Sequence, residues 1–196
     1  MGTKEEILVA AERMFAEHGF EVSLREIGAA AGQRNNSAVQ YHFGDKAGLV
    51  RALYEYRMTP LDRRRRELLG AIAATGRNDD LSALVDAYVT PLAEHLLAHR
   101  GASWYARFIS RFVLSGRYRD WPFAGEHYAG MRQVFDLVAV RLPELTDERL
   151  RVANLHVVIV LADLEQRLDD EKFDAADAAA ALAELRVTTR AVLTAV

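Results

Sequence analysis

The chain has 196 residues, 51% of them apolar, with four prolines, no cysteine and a formal net charge of -3. That is enough apolar chain for one or two domains with a real core, and it excludes fibrous or low-complexity material, a disulfide scaffold, thiolate metal sites and a cysteine nucleophile. No charged-then-apolar leader stands before the first helix, and the longest apolar run, Val157 to Ala162, is too short to span a bilayer, so a cytoplasmic protein with no membrane contact is expected.

In chain order, Ile7, Ala10, Ala11, Met14 and Phe15 recur at helical spacing, and Gly19 stops that first helix. Ser23, with Glu26 three residues on, makes a capping box for a helix of about two turns that carries Leu24, Ile27, Ala30 and Ala31 and ends at Gly32. After a polar turn, Asn36 or Ser37 caps a third short helix bearing Ala38, Val39 and Tyr41. Asp45 caps a long helix with Leu49, Val50, Leu53, Tyr54 and Met58 on its buried face, and Thr59-Pro60 predicts a kink or break in it. Helix resumes over Leu61, Leu68, Leu69 and Ile72. Further helices are expected over Leu81 to His99, with Thr90-Pro91 as a place to bend, and over Ala102 to Leu114, His127 to Leu142, Asp147 to Leu168 and Phe173 to Val196. No segment reads as a strand, so the fold class is all-α with about nine helices.

The acidic total hides a local exception. Between Glu26 and Asp45 there is no acidic residue, and that window holds Arg34, Asn35, Asn36, Ser37, Gln40, Tyr41 and His42. Two short helices around a glycine-led turn are what a major-groove reader needs, since the groove is about 12 Å wide and admits one helix while a second braces it. Ala11, Phe15 and Gly19, then Ser23-Leu24-Arg25-Glu26-Ile27-Gly28, Ala31-Gly32, and above all Tyr41-His42-Phe43-Gly44-Asp45-Lys46 with Leu49 give residues 4 to 58 a specific resemblance to the head of the TetR family of regulators.

The resemblance implies a helix-turn-helix DNA-binding domain over 1–45 and a ligand-binding and dimerisation domain over 46–196. It also implies that Ser23, Tyr41 and Lys46 meet phosphates, with His42 beside Tyr41 at the end of the recognition helix. Arg25 lies in the same head. Base reading falls to Arg34, Asn35, Asn36, Ser37 and Gln40, because arginine pairs two-pronged with guanine and asparagine or glutamine with adenine. Between Gly32 and Tyr41 the chain holds one residue more than the common family pattern, which leaves the register of the recognition helix open.

Beyond the head, Trp104, Tyr105, Phe108, Phe112, Trp121, Tyr128, Met131 and Phe135, with Arg111, His127 and His156 among them, form the expected lining of an apolar ligand pocket. In the family the last two helices pair with their twins. Leu155, Val158, Ile159, Ala162, Leu168, Leu182 and Leu185 are the expected dimer contacts, since they exceed what one small domain covers. Arg63 to Arg66 point around a helix and read as a solvated face. His95 and His99 share a helix face at metal-ligand spacing without a third ligand, so no metal and no cofactor are expected, and no serine sits in a nucleophile turn.

The expectation is therefore a non-enzymatic, homodimeric transcription regulator. It would bind a palindromic double-stranded operator as a repressor released by a small apolar or aromatic effector. The competing reading is a helical small-molecule-binding or enzymatic protein whose head no longer binds DNA.

Overall fold

The computed structural model describes residues 2–33, 35, 37–116 and 128–195, and among these it forms nine α-helices and no strand. The first three are α1 (Thr3–His18), α2 (Leu24–Ala30) and α3 (Ala38–Phe43). Ser23 starts α2 through a reciprocal capping box with Glu26, and Gly19 and Gly44 end α1 and α3 with φ of 78° and 76°, a region that favours residues without a Cβ.

Next comes α4 (Lys46–Ala74), which Asp45 caps by accepting from the Gly48 amide. It runs unbroken through Pro60, where the sequence predicts a break. Proline costs about 3 kcal/mol inside a helix, but each large apolar side chain buried on both sides of it returns roughly 1.5–3 kcal/mol. Leu53, Met58, Leu61, Leu69 and Ile72 are all buried. Tertiary packing on both flanks outweighs the local defect. The same holds for α5 (Leu81–Ala98), which is continuous through the buried Pro91.

The remaining helices are α6 (Tyr105–Leu114), α7 (Ala129–Arg141), α8 (Asp147–Arg167) and α9 (Ala175–Thr194). Two of them begin at residues that offer no side-chain cap, Trp104 for α6 and Tyr128 for α7. Their orphan amides are satisfied from other helices. The buried Asp62 of α4 accepts from Gly130 N at 3.0 Å and Met131 N at 2.9 Å, and the buried Glu165 of α8 accepts from Arg107 N at 2.9 Å and Ala106 N at 3.2 Å. At Gly130 a Cβ would come within 3.2 Å of the Asp62 carbonyl, so the absence of a side chain lets α7 approach α4 closely enough to be capped.

The core has two parts. One packs α5, α7, α8 and α9 around Leu84, Val89, Leu161 and Leu185. The other joins α1, α2, α3 and the first half of α4 to Tyr105, Phe108 and Phe112 of α6. The apolar interior of the head thus continues into α6 instead of ending near residue 45. No helix among the described residues is long and apolar enough to cross a membrane.

Candidate nucleic-acid interface and ligand cavity

The outer face of the head follows from how α2 and α3 cross. Val39 is fully buried under α3, and its Cγ2 would lie 3.3 Å from a Cβ at Gly28, so the two short helices meet at close range. With Val39 turned in, Gln40 and Tyr41 turn out. Tyr41 is 84% exposed, an unusual position for a large aromatic ring in a chain with a full core. Its ring stands edge-on to His42, with centroids 5.0 Å apart. Asn35 and Ser37 are exposed on the same approach, and Asn35 Oδ1 accepts from Ser37 N at 2.9 Å, a side-chain turn that leads into α3. Ser37 occupies the N-cap without a capping bond of its own. Arg34 and Asn36 lie outside the described residues.

Ser23 is exposed, and its hydroxyl donates to Glu26 Oε2 at 2.6 Å. Arg25 is exposed beside it. Lys46 is half-buried, and its Nζ donates to the Phe20 carbonyl at 2.7 Å, tying the start of α4 to the end of the α1 turn.

Residues 7–53 match the family of bacterial regulatory proteins, tetR family. The head belongs to the TetR family. Over 52 residues the chain is also 44% identical to the HTH-type transcriptional repressor AcnR of Corynebacterium glutamicum. That match spans 26% of this chain and 27% of the repressor's length, so the likeness is one of heads.

Behind the TetR-type head lies a cavity of about 310 Å³ between α4, α5, α6, α7 and α8. Tyr105, Phe112, Met131 and Phe135 line it, together with Tyr54, Met58, Arg65, Tyr88, Arg132, Arg151, Asn154 and Leu161. Tyr128 sits beside it, its ring 5.8 Å from that of Tyr54. Four nominated pocket residues stand elsewhere. Phe108 packs toward the head, 6.1 Å from the rings of both Phe15 and Phe20; Trp104 lies under the Arg13 guanidinium; Arg111 donates to the Glu17 carbonyl at 3.3 Å. His156 shares a 2.7 Å hydrogen bond with Thr188 of α9. Tyr105, Phe108 and Phe112 form one stripe of α6, and composition does not tell that Phe108 is taken up by the head while its two neighbours also reach the cavity. Trp121 and His127 lie outside the described residues.

Arg65, read with Arg63 to Arg66 as part of a solvated face, is instead buried on the cavity wall, and a signal for that was present. On α4 the stripe Met58, Leu61, Arg65, Leu69, Ile72 is apolar at every helical step except one. A lone charge on a buried stripe marks a place where burial serves something besides packing.

The nominated dimer contacts are also redistributed. Val158, Ala162, Leu168, Leu182 and Leu185 are buried within the single chain, and Leu155 and Val158 line the cavity. α8 is covered on one side by α6 and on the other by α9 and α5, which absorbs most of its apolar surface. The large apolar side chains left exposed on α8 and α9 are Val152, Ile159 and Val187.

Head and body are fastened through Glu12 of α1, which is fully buried. Glu12 Oε1 accepts from Arg57 Nη2 at 3.0 Å and from the Trp104 amide at 3.2 Å. Burial pushes its carboxyl above the ordinary 4.5, against the opposing pull of Arg57 and of the Trp104 N–H. Nearby, His95 of α5 meets Ser103 Oγ at 3.3 Å, the edge of Tyr105, the His99 ring and the field of Arg57. Burial first, then the fields of Arg57 and His99, lower its pKa to about 4 from 6.5.

A depressed histidine is neutral in the folded state, so its contribution to stability is complete above 6.5 and is lost as pH falls toward about 4. Urea midpoints should therefore drop between about pH 7.5 and pH 5, and His95→Gln should flatten that drop. Identical pH profiles for the two proteins would remove His95 from the account. Among the described residues no three His, Asp or Glu side chains gather as a metal site.

Proposed function

We propose that the chain is a homodimeric, TetR-type transcription regulator whose DNA affinity responds to a small molecule held in the cavity behind the head. The observation that carries this reading is the outward face of α3. Gln40 and the 84%-exposed Tyr41 stand on a helix braced by α2, in a stretch without acidic residues. On this reading Tyr41, Lys46 and Ser23 position the head on phosphates, while Gln40 and Ser37 read base edges. Arg25, Asn35 and His42 border that face.

Val152, Ile159 and Val187, set among the exposed small residues Ala180, Ala183 and Ala191, supply an apolar face for a second copy. Such a pair would present its recognition helices about 34 Å apart, one turn of duplex. The cavity is wired to the head twice. Tyr54, Met58, Leu61 and Arg65 belong to α4, which starts in the head, and Tyr105 and Phe112 belong to α6, which packs on α1. A ligand that fits one setting of α4 and α6 better than the other shifts the spacing of the heads, and only such a difference in affinity can do so.

Selection of duplexes from a random pool by the full chain tests the function. The expected outcome is a palindrome whose half-site centres lie about 10 bp or a multiple apart. Enrichment of no sequence over several rounds would favour the competing view of a head that has lost its DNA.

A further inference from the structure

The cavity wall is apolar over most of its area, yet it holds two polar groups with nothing to bond. Among the described residues, the buried side-chain nitrogen and oxygen atoms without a hydrogen-bond partner are Arg65 Nε and Tyr105 Oη, and both side chains line this cavity. Arg65 is 4% exposed and Tyr105 1%. Folded proteins rarely leave such groups unsatisfied, because a buried donor without an acceptor loses its hydration and regains nothing.

The rest of the Arg65 guanidinium is poorly served as well. Its terminal nitrogens reach Asp62 Oδ1 only at 3.5 Å, the Tyr88 carbonyl at 3.4 Å and Met58 Sδ at 3.9 Å. Asp62 is already committed to the amides of Gly130 and Met131 and lies 3.5 Å from Arg66 Nε, so its charge is shared. The cavity wall includes no carboxylate, and of its other arginines Arg151 is already paired with Glu148. Burial raises the Tyr105 phenol well above its ordinary value, which keeps it an O–H donor at neutral pH. The unmet capacity is therefore two donors, one of them on a guanidinium, in a wall without a carboxylate.

We propose that the cavity takes an apolar molecule bearing a single carboxylate, with the acid group received by Arg65 Nε–H and Tyr105 O–H and the hydrocarbon laid against Met58, Phe112 and Leu161. This deepens, and rests on, the effector-responsive reading above. At the ~30 Å³ that a water-sized group occupies, 310 Å³ holds about ten non-hydrogen atoms, the size of an eight-carbon acid.

The test is calorimetric titration of the full chain, without DNA, against octanoate and the isosteric neutral octanamide. Octanoate should bind at least about tenfold tighter, since charge-assisted bonds are roughly twice as strong as neutral ones. Tyr105→Phe, which deletes only the hydroxyl, should weaken octanoate by about fivefold or more while leaving the melting temperature unchanged or raised, because it removes an unsatisfied buried group. Equal affinity for acid and amide, no saturable binding of either, or an unaltered octanoate affinity in Tyr105→Phe overturns the proposal. A chain that binds octanoate but enriches no duplex from the random pool keeps this ligand and loses the regulator reading. The opposite pattern keeps the regulator and loses the ligand class.

Discussion

Glu12→Ala should destabilise the folded chain by about 3–5 kcal/mol, because removing one partner of a buried ion pair leaves the other charge without compensation. Arg57 keeps only 13% of its side chain exposed, and the Trp104 amide would lose its acceptor at the start of α6. The effect should fall on the seam between head and body, since Glu12 on α1 joins α4 to α6. Urea unfolding of the variant should show the loss as a lowered midpoint. Replacing both members, Glu12→Leu with Arg57→Leu, should recover much of it, as apolar pairs of similar volume often match buried ion pairs. A loss below about 1 kcal/mol for Glu12→Ala would mean that the seam is held by the Phe15, Phe20 and Phe108 cluster alone.

Tyr41→Ala should weaken DNA binding by roughly tenfold to a hundredfold on every sequence alike, whereas Gln40→Ala should relax the preference at one base pair. The two neighbours on α3 divide the work because one side chain ends in a phenol suited to a phosphate and the other in an amide that matches adenine. Tyr41 is 84% exposed, so its removal should leave the melting temperature in place. Binding curves on a matched and a single-mismatch duplex separate the roles. Uniform loss in both variants would show that Gln40 also acts on the backbone.

Much of the architecture was legible because local rules suffice for it. The Ser23–Glu26 capping box, the glycine stop at Gly19 and the Asp45 cap all act within four residues, and each is present as read. The TetR-type head could be identified from the run Tyr41 to Lys46 for the same reason. What escaped depends on neighbours distant in sequence. Pro60 looks like a break until helices pack on both sides of it, and the caps of α6 and α7 come from Glu165 and Asp62, 59 and 68 residues away. Of the aromatic stripe on α6, Tyr105 and Phe112 reach the cavity as well as the head's core while Phe108 stays with the head, an outcome set by which helices flank α6. The exposed apolar face of α8 and α9 was overcounted because Val158, Ala162 and Leu185 find partners inside their own chain.

The measurement that bears most directly on the central claim is a mobility-shift titration of the full chain on duplexes flanking its own gene, repeated across a salt series. A sequence-dependent complex is expected, with an affinity that falls steeply between about 50 and 200 mM salt as phosphate contacts release their counterions. A chain that forms no complex, or one whose affinity is indifferent to both sequence and salt, would contradict it.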